Sequence, residues 1–342
     1  MTPDEDERIK SNPVPADERT QRAARQIDQL REALSGLGDE IRSQQRRALR
    51  DEGEAGGGSE WGTLFDELRR RVGTFGMVER DPSVDDFGMQ ASFVERLSPL
   101  FDFLYEKYWR VDLTGDESLP SKGPVLFVAN RSGLLPWDGM MLSHAIDRSP
   151  AQLERPRFLV EDDLLRLPFA QAQLARVGGI RACRENLDQL IARGHSVIAF
   201  PEGARGAARS FRDRYQVGRF GRGGAIRAAI ENRIPLVPVG IVGAEEAYPR
   251  LGDTATLGRL ASRDLGLPVL PITPTFPLLG PLGLLPLPSK WVITIGDPIS
   301  LLELEPDTAS DTVSVSHLTE ALREEVQQLV ERGLDARTST WL

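Results

Sequence analysis

From about residue 112 the chain alternates short apolar runs with helical stretches, and no other feature constrains its fold as much. Val125–Ala129, Arg157–Val160, Gly179–Cys183, Ser196–Phe200, Leu236–Ile241 and Trp291–Ile295 read as strands. Asp138–Ile146, Leu164–Val177, Arg184–Arg193 and Gly223–Asn232 read as helices, the third ending at Gly194, a good C-cap residue. This alternation predicts a layered α/β domain with a mostly parallel sheet. Ligands of such sheets bind outside the carboxyl ends of the strands. Two of those ends are strongly polar. The first strand delivers Asn130-Arg-Ser-Gly-Leu-Leu-Pro-Trp-Asp138, and the fourth delivers Pro201-Glu-Gly-Ala-Arg205.

Four regions are expected. Residues 1–60 are polar and end in the Gly-rich linker Asp51-Glu-Gly-Glu-Ala-Gly-Gly-Gly-Ser. Within them Ala23, Ile27, Leu30, Leu34, Leu37 and Ile41 form a heptad-like seam, so self-association through residues 23–41 is one expectation. Gly36 and Gly38 weaken that helix by roughly 1 kcal/mol each, and a disordered tail is the other. Residues 61–111 should form two helices, Trp61–Val78 and Phe87–Val111, the second too apolar to face water. Residues 112–300 form the layered domain, and 301–342 a polar C-terminal helix (Val313–Gly333) and tail. The stretch Leu265–Ser289 holds seven prolines among many leucines. It cannot be regular structure, so it reads as a core-covering loop, an acyl-pocket wall or a membrane contact.

Charge and cysteine content narrow the function. The formal charge of −9 argues against nucleic acid as a partner and leaves any phosphate contact to a local basic patch. One such patch exists: residues 200–222 carry six arginines against two acids. Arginine's planar fork suits phosphate. The single cysteine, Cys183, excludes an internal disulfide, and no Cys/His metal spacing is present, so neither metal nor cofactor is expected. No run of 18 apolar residues occurs and Met1–Lys10 is charged, so no membrane-spanning helix or signal peptide is expected. A cytoplasmic protein able to lie on the inner face of the cell membrane fits these features. A nucleotide enzyme built on the Gly/Arg-rich segment is a weaker reading, because no GxxxxGKS, nor GxGxxG after a strand, supports it.

Three blocks then resemble a known family. Asn130-Arg-Ser-Gly-Leu-Leu-Pro-Trp-Asp138, Phe200-Pro-Glu-Gly-Ala-Arg-Gly206 and Ile234-Pro-Leu-Val-Pro-Val-Gly-Ile-Val-Gly-Ala-Glu-Glu246 are similar, in order and spacing, to the glycerolipid acyltransferase superfamily. This is the family of the glycerol-3-phosphate and lysophosphatidic acid acyltransferases, and the blocks especially resemble its bacterial branch similar to monoacylglycerol acyltransferases. Asp213-Arg-Tyr, Arg219-Phe-Gly-Arg-Gly-Gly and the Phe276–Ser289 loop add to the resemblance, which covers roughly residues 85–300. It implies acyl transfer from acyl-CoA or acyl carrier protein, as co-substrate, to a glycerolipid hydroxyl. In the family a motif histidine takes the hydroxyl proton and an aspartate, here Asp138, orients it. The resemblance also implies that Arg205 holds an acceptor phosphate, with Glu202 and Gly203 shaping the site. Asn130, Ser132, Arg181 and Arg214 are further candidate substrate contacts, and Arg184 is an alternative match to Arg181.

The departure lies at the base. Where the family has histidine the chain has Arg131. Arginine has no acceptor lone pair and stays charged, so it cannot take a proton near neutral pH. No other histidine replaces it. His144 lies six residues beyond Asp138, about 240° around a helix, and faces away. His195 precedes its strand and should sit about 20 Å from Glu202, and His317 belongs to the C-terminal helix. Ser132 lacks both a GxSxG context and a base beside it, so it is no candidate nucleophile. Three readings of Arg131 stay open: an inactive lipid- or acyl-CoA-binding relative, slow catalysis with Glu202 or Asp138 as base, or a structural pair with Asp138.

Overall fold

A computed structural model describes residues 84–341, apart from Lys122, Leu134, Gln152, 166–169 and 250–284. The N-terminal tail, its seam, the Trp61–Val78 helix and most of the proline-rich loop lie outside the described residues. The sheet is built around β2 (Leu126–Ala129), in which every side chain is fully buried. A strand covered on both faces must be apolar throughout, as Val125–Ala129 is. Beside it run β5 (Val197–Ala199) and β6 (Leu236–Val242), both parallel to β2. The other strands are β1 (Asp112–Thr114), β3 (Arg157–Val160), β4 (Gly179–Arg181) and β7 (Val292–Ile295). Among the described residues the seven-stranded order is β1-β7-β6-β2-β5-β3-β4, and only the β6–β7 pair of strands is antiparallel. β1 is an edge strand that the sequence pattern did not signal, because Asp112-Leu-Thr carries a single apolar residue and is largely exposed.

Helices cover both faces. Leu126, Val128, Val197, Ala199 and Leu159 share one core with α5 (Arg184–Ala192), α7 (Gly224–Asn232) and the long α9 (Thr312–Ala336). On the opposite face α2 (Trp137–Asp147) lies against β3: a Cβ on Gly139 would come within 2.9 Å of the Phe158 ring. Shorter helices α3 (Asp162–Leu165), α4 (Ala170–Arg176), α6 (Ala204–Ala207) and α8 (Ala244–Ala247) follow individual strands or lead into them.

Two expected helices change character. Phe87–Val111 resolves into α1 (Ala91–Phe103) and a π-helical turn, Leu104–Tyr108, which carries Trp109 into a stack on Trp291 with ring centroids 4.6 Å apart. The C-terminal helix is amphipathic rather than polar throughout. Val315, Leu322, Val326, Leu329 and Val330 bury one stripe against the sheet. Asp311 caps it by accepting from the Val313 and Ser314 amides, each at 3.1 Å. The helix lies so close to β6 that a Cβ on Gly240 would approach the Leu329 backbone within 2.6 Å.

Candidate active site

The carboxyl ends of β2, β5, β3 and β6 converge, and each is followed by a charged residue. After β2, Asn130 does not face a ligand. Its carboxamide accepts from the Ile241 amide at 2.7 Å and donates to the Ile241 carbonyl at 2.9 Å, clamping β2 to β6. Arg131 turns its side chain inward, only 1% exposed. Its Nη1 donates to both oxygens of Asp138, at 2.5 Å to Oδ2, and its Nε donates to Glu161 Oε1 at 3.1 Å. Asp138, in the first turn of α2, also accepts from the Gly139 amide at 2.9 Å and the Ser132 amide at 3.2 Å. Burial alone would lower the Arg131 pKa, but the Asp138 and Glu161 carboxylates more than offset it and the net shift is upward. The guanidinium is thus a fixed cation. One donor, Nη2, and the Ser132 hydroxyl are buried without a partner among the described residues.

The loop after β5 locks onto this one. Glu202, 3% exposed, accepts from the Arg131 amide at 2.8 Å, from the Gly218 amide and from Arg209. Burial raises its pKa, and the arginine and the two amides pull against that. Gly203 adopts φ +57° at the start of α6. Gly206 has no room for a side chain, because a Cβ would fall 2.7 Å from that of Arg131 and 2.9 Å from that of Glu202. The loop after β3 contributes Glu161, and Phe200 lies under the Arg131 guanidinium with its centroid 5.4 Å away. Both Glu161 and Phe200 also line a cavity of about 300 Å³ whose walls are mostly apolar, among them Leu159, Leu187, Phe220 and Leu322. A mainly apolar pocket with a few placed polar groups is what a small-molecule site requires.

The turn after β6 adds α8. Glu246 is fully buried and satisfied at one oxygen by Tyr215 and by Arg337 at 2.7 Å. Glu245, 7% exposed, has no hydrogen-bond partner for either oxygen among the described residues. The nearest cation is Arg209, with Nη1 3.9 Å from Glu245 Oε1. Burial, then the neighbouring Glu246, pushes the Glu245 pKa up to about 8.

Residues 110–242, from just before β1 to the last residue of β6, match the model of the family described as Acyltransferase. An uncharacterized protein of Mycobacterium tuberculosis (strain H37Rv) is 42% identical over 259 residues, 75% of this chain and 71% of that one. Another, of Mycobacterium leprae, is 42% identical over 259 residues and 69% of its own length is covered. The chain belongs to the acyltransferase family. The 1-acyl-sn-glycerophosphate acyltransferase of Thermotoga maritima, a solved structure, is 18% identical with a TM-score of 0.46, covering 82% of this chain and 90% of that one.

Within this acyltransferase-family site the sequence-derived residues divide. Arg131, Ser132, Asp138, Glu202 and Gly203 come together. Arg205 lies exposed on α6, without an ion-pair partner among the described residues. Arg181 stays apart: it ends the edge strand β4 and donates to Asp162 at 2.7 and 2.8 Å on the surface. Arg184 is likewise engaged, with Asp188 and Glu231. Arg214 turns to its own loop, donating to the Phe211 carbonyl and stacking on Phe211 and Tyr215. His144 contacts Asp102 at 3.1 Å, and His195 contacts Glu154 at 3.3 Å. Sequence reasoning missed Glu161, Arg209 and Glu245 as site residues. The signal was present for the two acids: each follows a strand within three residues, as Glu202 does.

Proposed function

We propose that the protein transfers a fatty acyl group from an acyl thioester, acyl-CoA or acyl carrier protein, to a hydroxyl of a glycerolipid. The observation that carries this reading is the cavity of about 300 Å³ that abuts the charged loops through Glu161, Phe200 and Gly203. In this reading the cavity receives the acyl chain, and its thioester lies at the Arg131–Asp138 end. Burying an acyl chain there gains about 0.8 kcal/mol per methylene. Arg131 then acts as a fixed positive charge near the thioester carbonyl, not as a proton acceptor. Arg205, the exposed cation beside Glu202, is the group we assign to an acceptor phosphate. A protein handling such lipids would work at the inner face of the cell membrane, and no helix among the described residues is long and apolar enough to cross it.

The test is the full chain incubated with palmitoyl-CoA and either lysophosphatidic acid or monoacylglycerol in detergent micelles, with thiol release and acylated product both followed. Product with either acceptor is expected; none with either, across pH 6–9, overturns the reading. A second reading has its own support. Arg131 is ion-paired twice in the position of the family's base, which suits a protein that binds acyl thioesters without transferring them. Under that reading only Arg131→His produces acylated lipid. Flotation with anionic vesicles tests membrane attachment, and failure to float removes it.

A further inference from the structure

We infer that Glu245 is the group that takes the acceptor's hydroxyl proton in this site. The inference rests on the acyl-transfer reading above and supplies what that reading lacks. Arg131 cannot accept a proton. Asp138 is occupied by Arg131 and by the amides of Ser132 and Gly139. Glu202 is occupied by Arg209 and by the amides of Arg131 and Gly218. Protonating either carboxylate would break those bonds. Glu161 gives one oxygen to Arg131 Nε, whereas Glu245, at the same end of the sheet, has neither oxygen hydrogen-bonded among the described residues.

The geometry supports the role in three ways. Glu245 sits three residues beyond β6, the strand that Asn130 clamps to β2, so both ends are held in one place. Arg209 links it to the rest of the site, since that side chain reaches Glu202, the Arg131 carbonyl at 3.5 Å and Glu245 at 3.9 Å. A buried polar group left without a partner is costly, and a bound hydroxyl would satisfy it. The charged groups that act on Glu245 are Glu246, Arg209 and Glu202. The two acids disfavour its charge and the arginine favours it. A base tuned toward the working pH is the arrangement that proton transfer favours.

The hydroxyl oxygen attacks the thioester carbonyl carbon while its proton passes to the Glu245 carboxylate. The tetrahedral adduct collapses, the carbon–sulfur bond breaks, and the proton on Glu245 passes to the departing thiolate. Glu245 is left ionised, and the products are an ester and a thiol.

The experiment is the palmitoyl-CoA assay at pH 6–9 with wild type, Glu245→Gln and Glu245→Asp, each checked for folding by thermal denaturation. The expected wild-type rate rises through about pH 8. Glu245→Gln should lose about 10²-fold or more in kcat with KM little changed, the range expected for a lost general base. Glu245→Asp should retain part of that rate and shift the pH limb. An active Glu245→Gln variant with the wild-type profile overturns the inference and leaves acyl transfer standing. A wild-type rate flat across pH 7–9 overturns it also, reducing Glu245 to a binding contact. Wild type that binds palmitoyl-CoA yet forms no ester overturns the transfer reading and this inference together.

Discussion

The loop after β2 and the turn after β6 end at the same edge of the sheet, yet they treat their charges in opposite ways. In the first, Arg131 and Asp138 neutralise each other, and the same two carboxylate oxygens also accept from backbone amides. In the second, Glu246 is tied to Tyr215 and Arg337, while Glu245 beside it is left open. Such a pair is costly to break and leaves Asp138 little to offer as a proton acceptor, while the Arg131 Nη2 donor keeps no partner among the described residues. An open buried acid destabilises the fold, and a site that keeps one has a use for it.

The largest effect should follow from breaking the closed side. Arg131→Ala leaves Asp138 buried and unpaired, for a loss of about 3–5 kcal/mol measured by urea denaturation. A loss below about 1 kcal/mol would mean that the loop does not hold the buried pair described. The open side should respond to pH instead. The folded pKa of Glu245, about 8, lies above its ordinary value of 4.5. The neutral carboxyl's stabilising contribution is therefore complete below pH 4.5 and lost as pH rises through 8. Glu245→Gln removes that loss. Its melting temperature should gain on wild type progressively from pH 5 to 9, and parallel curves would sink the assignment.

Packing between the β2 and β5 loops gives a smaller effect. Gly206→Ala forces a methyl against the Cβ atoms of Arg131 and Glu202, at about 1–3 kcal/mol. It should also disturb the acyl-transfer rate, because both loops move. The smallest effect belongs outside the site. Arg181→Ala removes an exposed surface pair with Asp162 and should leave melting temperature and rate within experimental error. A large loss of rate from it would restore Arg181 to the site.

The sequence carried the layered architecture because its evidence is local. A buried strand needs an unbroken apolar run, and a helix shows its own period, so β2 to β6 and α2, α5 and α7 could be read residue by residue. It also carried the two charged loops after β2 and β5, whose polar residues follow such runs directly. What the sequence could not carry is pairing across distance. That Asn130 would clamp Ile241, 111 residues away, is a property of strands meeting in the sheet. So is the reversal of β7 against β6, and so is the burial of one stripe of α9. The same limit hid Glu245. An acid after a strand is ordinary in sequence, and only the fold decides whether a cation comes to meet it. Glu202 gains Arg209 within hydrogen-bond reach; Glu245 is held 3.9 Å from the same arginine and receives no hydrogen bond among the described residues.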